Sequence, residues 1–143
     1  MDIALEAADH AAKLGNVPVG AVALHHGQVI AVAGNLRETL QDPTAHAEML
    51  VLRQAAQTLG RWRLEDVTLV VTLEPCAMCC GAIAQARLGA LVFGAYEPKT
   101  GGVSSTANML NPEVTDITPN VKADRAKAQL KRFFERRRAS TSS

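Results

Sequence analysis

Residues 67–88, VTLVVTLEPCAMCCGAIAQARL, hold the turning point of the chain. Val67 to Leu73 is β-branched and almost wholly apolar, the composition of a strand covered on both faces. Pro75 then opens a helix that runs to about Leu88, and Gly89 closes it. Leu91–Ala95 follows as the next strand. Upstream, Asp42-Pro43-Thr44 is a helix-start signal for a helix from about Ala45 to Leu59. That helix carries Met49, Leu52, Ala56 and Leu59 on one face and stops at Gly60.

The remaining segments extend the alternation. Asp2 to about Leu14 places Ile3, Ala7, Ala11 and Leu14 at helical spacing, and Gly15-Asn16 ends it. Val17–Leu24 and Val29–Gly34 flank His25-His26-Gly27-Gln28 as a β-hairpin. Asn35 to Asp42 is polar and predicts a loop. Residues 96–113 are rich in Gly, Pro, Ser, Thr and Asn, which predicts a long loop with room for one helical turn. Val114–Thr118 predicts a short strand, and Val121 to Arg138 a last helix striped by Ala126, Leu130, Phe133 and Phe134. Residues 139–143 predict a frayed tail. Helices alternating with strands imply an α/β fold: a three-layer α/β/α sandwich around a mixed sheet of about five strands.

A chain of 143 residues suits one domain with a real core and is short for two. Aromatics are only 3%, so Val, Leu, Ala and Ile must fill that core. No apolar run approaches the roughly 18 residues of a membrane helix. The opening MDIALEAADHAAK lacks the basic and apolar blocks of a secretory signal, so a soluble cytoplasmic protein is expected. Net charge is +1, but residues 1–120 carry seven Lys/Arg against twelve Asp/Glu, whereas residues 121–143 carry eight against two. Such a basic end suits an anionic partner, or else is the solvated face of a terminal helix.

Chemistry concentrates in His46-Ala47-Glu48 and in Pro75-Cys76-Ala77-Met78-Cys79, each predicted in the first turn of a helix. Cys76 and Cys79 are three apart, so their sulfurs emerge on one face, where the helix N-terminus favours thiolates. With His46 they make three good ligands for Zn2+. Structural zinc sites are normally closed by four protein groups, so three imply an open catalytic position. There zinc lowers the pKa of a water to roughly 7. Glu48 is within reach of that water and can carry its proton to a leaving nitrogen. A zinc knuckle or a redox pair would leave Glu48 and the missing fourth ligand unexplained. Cys80 projects about 100° around the helix from Cys79 and suits a small buried hydrophobe. His10, His25 and His26 have no partners at ligand spacing and are expected at the surface or in turns. Trp62 suits packing against the helix-to-strand connection, or stacking on a base. Asn35 after Gly34 suits a left-handed turn as well as a binding role.

The pattern H-x-E…P-C-x-x-C is the known signature of zinc base deaminases. Beyond it, Val17-Pro18-Val19-Gly20-Ala21, Gly34-Asn35, Asp42 to Glu48, Leu73 to Cys79, Phe93-Gly94-Ala95, Lys99-Thr100-Gly101 and Phe133 to Arg138 resemble the bacterial tRNA-specific adenosine deaminases (TadA), of the cytidine/deoxycytidylate deaminase superfamily. The resemblance implies a cytidine-deaminase-like fold over residues 1–138, one zinc per subunit, a homodimer, and conversion of adenosine to inosine at the wobble position of a tRNA. It also implies that Asn35 and the backbone of Ala47 hold the flipped base and that Val17 lines the pocket wall. Glu97 and Lys99 would meet the anticodon loop, and Arg136 and Arg137 the phosphates of its stem. Glu97 stands where the family usually has Asp. The segment after Gly101 also departs from the family's Gly-Ser-Leu, and Leu110 to Thr118 looks short. Two other readings compete: a deaminase of a free base such as guanine or cytosine, and a catalytically silent zinc or RNA-binding module.

Overall fold

Strand β3 (Val67–Leu73) is central, and the sequence order of its neighbours explains the fold. The sheet runs β2-β1-β3-β4-β5. Strand β1 (Gly20–His25) is antiparallel to both β2 (Gln28–Gly34) and β3. Strands β3, β4 (Ala90–Ala95) and β5 (Asp116–Thr118) are mutually parallel. The computed structural model describes residues 1–141. Helices α1 (Asp2–Lys13) and α5 (Ala123–Thr141) cover one face, and α3 (Ala47–Leu59) and α4 (Ala77–Ala86) cover the other.

The period-two alternation of β3 assigns its side chains to those layers. Val67, Leu69 and Val71 join Leu91 and Phe93 under Val51, Leu52, Ile83 and Leu88. Val70 turns the other way, against Val22 and Ala4. Both faces are therefore buried, as the near-continuous apolar run requires. The three-layer sandwich and its five-stranded mixed sheet agree with the sequence.

Two glycine positions are required by geometry. At Gly20 a Cβ would overlap the Ala4 carbonyl, so only glycine lets α1 lie this close to β1. At the hairpin tip His26 and Gly27 take φ 50° and 76°, the two left-handed positions of a type I′ turn.

Several expectations shift. Helix α1 buries Ala4, Leu5, Ala8 and Ala11, while Ile3 and Leu14 are exposed. Its small-residue face lies flat on the sheet, so close approach outweighs side-chain size. Residues 35–42 are not all loop, because α2 (Arg37–Leu40) forms there. Buried Asn16 holds it: its Oδ1 accepts the N–H of Glu38 at 2.9 Å and of Thr39 at 3.2 Å. Helix α3 turns Val51, Leu52 and Ala55 to the core, whereas Met49 and Ala56 line an open groove. Helix α4 ends at Ala86, with Arg87 in the left-handed conformation, two residues before the expected stop. Gly89 instead gives room to the Glu65 carbonyl. The inner face of α5 is Ala123, Ala126 and Gln129, with Phe134 exposed. That helix continues to Thr141, past Arg138, and Ser142 and Ser143 lie outside the described residues.

Candidate active site

Helices α3 and α4 start side by side where β3 ends. His46 and Cys76 are their N-cap residues, with extended backbones, so both precede the first turn in which the sequence predicts them. Neither side chain caps its own helix. Asp42 folds its carboxylate onto the N–H and hydroxyl of Thr44, each at 2.8 Å, and so organises the turn before α3. The extended conformation frees the His46 ring, and its Nδ1 lies 3.7 Å from Cys76 Sγ and 3.6 Å from Cys79 Sγ. These three ligand atoms lie within 4.8 Å of one another, a group able to hold a metal ion.

Electrostatics separate the four groups. The Cys76 thiol is pulled down to about 3 by hydrogen bonds from the Cys79 thiol and then from His46. Cys79 is pushed up by sharing that proton with Cys76 and by burial. His46 is raised by its hydrogen bond to Cys76. Glu48, only 4% exposed, is raised because burial disfavours its charge. A carboxyl shifted upward moves toward the range in which it takes and returns protons near neutral pH.

One cavity of about 150 Å³ joins these groups to Val17, Asn35, Arg37, Ala47, Leu73 and Thr100. That is several times the roughly 30 Å³ share of one liquid water, a space for a single ring system. Asn35 is buried and absent from the left-handed residues, so its backbone is not that of a left-handed turn. Its Nδ2 donates to the Val17 carbonyl at 3.2 Å, and its Oδ1 accepts from the Arg37 N–H at 3.0 Å. The amide is thereby oriented, with one N–H and one lone pair still to use. Ala47 is the first residue of α3, where a backbone N–H has no intrahelical acceptor.

Glu74 is the residue that sequence reasoning missed. It is 2% exposed, between the last residue of β3 and Pro75. Its Oε2 accepts the N–H groups of Val103, Ser104 and Ser105 at 2.9–3.1 Å. Its Oε1 accepts the Glu97 N–H at 3.0 Å and the Ser105 hydroxyl. Burial works to raise its pKa, but these donors together hold it below the ordinary carboxylate value. Gly101 pairs with Cys76, and a Cβ at Gly101 would overlap the Glu74 carboxyl group. One carboxylate thus fastens the loop after β4 beside Cys76 of the candidate metal cluster. The signal was a charged residue lying between a buried strand and a buried helix start, which demands donors.

Other candidates lie elsewhere. Cys80 is fully buried, its thiol pushed up to about 12 by burial, which agrees with a packing role. Glu97 Oε1 accepts the Lys99 N–H at 3.0 Å, so its side chain closes a local turn beside the cavity. Lys99, Arg136 and Arg137 are exposed, the last with its guanidinium 5.5 Å from the Phe133 ring centre. Trp62 is 59% exposed and sits with Met49 and Ala56 on the groove between α3 and α4, under the Arg63 guanidinium. It does not pack the connection shut. His25 and His26, expected at the surface or in a turn, stand at the hairpin tip and both meet Asp66, forty positions or more away in sequence.

Two helix starts converging on one cavity of a mixed five-stranded sheet is the arrangement of the cytidine-deaminase-like fold, and the class is that of the deaminases. A family model described as MafB19-like deaminase matches residues 1–138. A tRNA-specific adenosine deaminase of Bacillus subtilis is 44% identical, the match covering 94% of this chain and 86% of that protein. One of Haemophilus influenzae is 42% identical, over 96% of this chain and 83% of its own length. A solved structure from work on A-to-I editing by tRNA:A34 deaminases at the wobble position superposes with a TM-score of 0.87 at 40% identity. It covers 91% of this chain and 97% of the other. The chain belongs to the tRNA-specific adenosine deaminase family.

Proposed function

We propose that the protein is a zinc-dependent hydrolytic deaminase that converts adenosine to inosine at the wobble position of a tRNA, as a homodimer with one zinc per subunit. The observation that carries the reading is the meeting of His46, Cys76 and Cys79 with buried Glu48 in a cavity walled by Asn35. Tetrahedral zinc with sulfur at about 2.3 Å and nitrogen at about 2.0–2.1 Å separates those ligands by about 3.6 Å. The sulfur–nitrogen distances of 3.6 and 3.7 Å fit that requirement.

When bound, zinc supplies a Lewis acid beside which water ionises near neutral pH. The remaining work falls to the chain. Asn35 offers its free N–H and lone pair to the purine edge, Ala47 its backbone N–H, and Val17 an apolar wall. Glu48 takes the proton of the attacking water as oxygen adds to C6. It returns that proton to the amino nitrogen, which leaves as ammonia. The base must be out of its stack for this to occur.

Glu97 and Lys99, held beside the cavity through Glu74, are suited to an anticodon loop, and exposed Arg136 and Arg137 to its phosphates. For the second subunit, the apolar groove bearing exposed Trp62 and half-buried Met49 is a candidate face. Unpaired Cys76, Cys79 and Cys80 and a tRNA substrate support a cytoplasmic setting. Among the described residues no helix is long and apolar enough to cross a membrane. Incubation of zinc-loaded protein with an arginine tRNA bearing an ACG anticodon should yield inosine at its first position. No inosine, with ammonia released from free guanine or cytosine instead, overturns the tRNA assignment and keeps the hydrolytic chemistry.

A further inference from the structure

Asp66 precedes β3, at the end opposite Glu74-Pro75-Cys76. Seven strand residues at about 3.3 Å each separate the two ends by roughly 23 Å. At the Asp66 end, ligand atoms of His25, His26 and Asp66 all lie within 4.8 Å of one another. We propose that this trio is a second metal site, separate from the catalytic one, for a divalent d-block cation such as Zn2+ or Ni2+.

The hairpin of β1 and β2 supplies two of the three groups. His25 ends β1 and is paired with Gln28 of β2 on one side and with Val67 of β3 on the other. Its neighbour His26 opens the type I′ turn at φ 50°, which folds its ring back until the two ring centres are 4.0 Å apart. Both imidazoles present Nε2 to one oxygen, Asp66 Oδ2, at 2.8 Å from His25 and 3.8 Å from His26. The second oxygen, Oδ1, accepts Arg61 Nη2 at 2.6 Å, and Arg61 Nη1 donates to the Arg63 carbonyl at 2.6 Å. The guanidinium therefore orients the carboxylate from behind, as outer-shell partners of metal ligands do.

The donor set selects the class of cation. Two imidazoles and a carboxylate suit zinc, nickel or copper, whereas calcium and magnesium prefer oxygen alone. Tetrahedral nitrogen and oxygen ligands at about 2.0–2.2 Å stand about 3.3–3.5 Å apart. The observed 2.8 and 3.8 Å bracket that value, and the group farther out, His26, has a side chain 75% exposed and free to adjust. Three ligands leave the other positions to water. A cation held there ties the hairpin tip to the start of β3.

The test is a calorimetric Zn2+ titration, repeated with Ni2+, on enzyme already loaded with its catalytic zinc, near pH 7.5, where most imidazoles are neutral. Wild type should take up one further equivalent. His26→Ala and Asp66→Asn should lose that equivalent while keeping the catalytic zinc and full deaminase activity. No further uptake by wild type up to millimolar metal overturns the proposal, and the trio is then only an ion-pair cluster. Uptake that survives in both His26→Ala and Asp66→Asn overturns it equally.

Discussion

The candidate metal cluster and the loop after β4 both draw on residues 73–80, one for two cysteines and the other for its Glu74 anchor, yet they are held by different means. Three side chains from two helix starts make the cluster, and their positions follow from the N-cap geometry of His46 and Cys76. The loop after β4 has no regular element between Ala95 and Asp116 and is fastened by the single carboxylate of Glu74, which accepts five hydrogen bonds. Chemistry built on element ends tolerates change around it. Recognition built on a loop depends on its anchor.

The largest expected effect breaks the chemical half alone. Glu48→Ala should keep zinc, by metal analysis, and lose on the order of 10²–10⁴-fold in turnover. Equal turnover in variant and wild type would remove Glu48 from the proton path. Chelation of zinc should abolish activity and lower the melting temperature, because the ligands tie α3 to α4. An unmoved melting curve would contradict that coupling.

Glu74→Gln should break the other half. The amide can accept fewer of the loop's N–H groups and carries no charge, so stability should fall by about 2–3 kcal/mol. On RNA, kcat/KM should fall while zinc content holds. The sign of the pH effect follows from the lowered pKa of Glu74. Its contribution is complete above the ordinary glutamate value of about 4.3 and is lost as pH falls through the lower folded value. Wild type should therefore lose more stability than the variant on acidification below about pH 4. Parallel curves would show that Glu74 is not the anchor.

A smaller effect should follow from replacing Arg136 and Arg137 with Gln. KM for tRNA should rise several-fold, and the slope of log affinity against log salt should shrink by up to about 2. An unchanged slope would make the basic end of α5 a solvated face only. The smallest effect concerns assembly: Trp62→Glu should shift sedimentation toward monomer with little change in the fold, since Trp62 is exposed.

Local signals in the sequence determined most element types, the hairpin and the candidate ligand set. A buried strand must be continuously apolar, a type I′ turn needs left-handed residues, and cysteines three apart share a helix face. Those requirements are written within a few residues and survive without the rest of the chain. Helix phase and long-range anchoring were decided only by tertiary structure. The α1 face was misread because Ala4 and Ala8 lie against the sheet through their small size, not their hydrophobicity. Residues 37–40 are helical because Asn16, twenty-two positions before Glu38, bonds its N–H. Glu74 meets Ser105 across 31 residues, and His25 meets Asp66 across 41. A side chain's chemistry belongs to the sequence, but its partners are supplied by whichever strands and loops the packed sheet brings beside it.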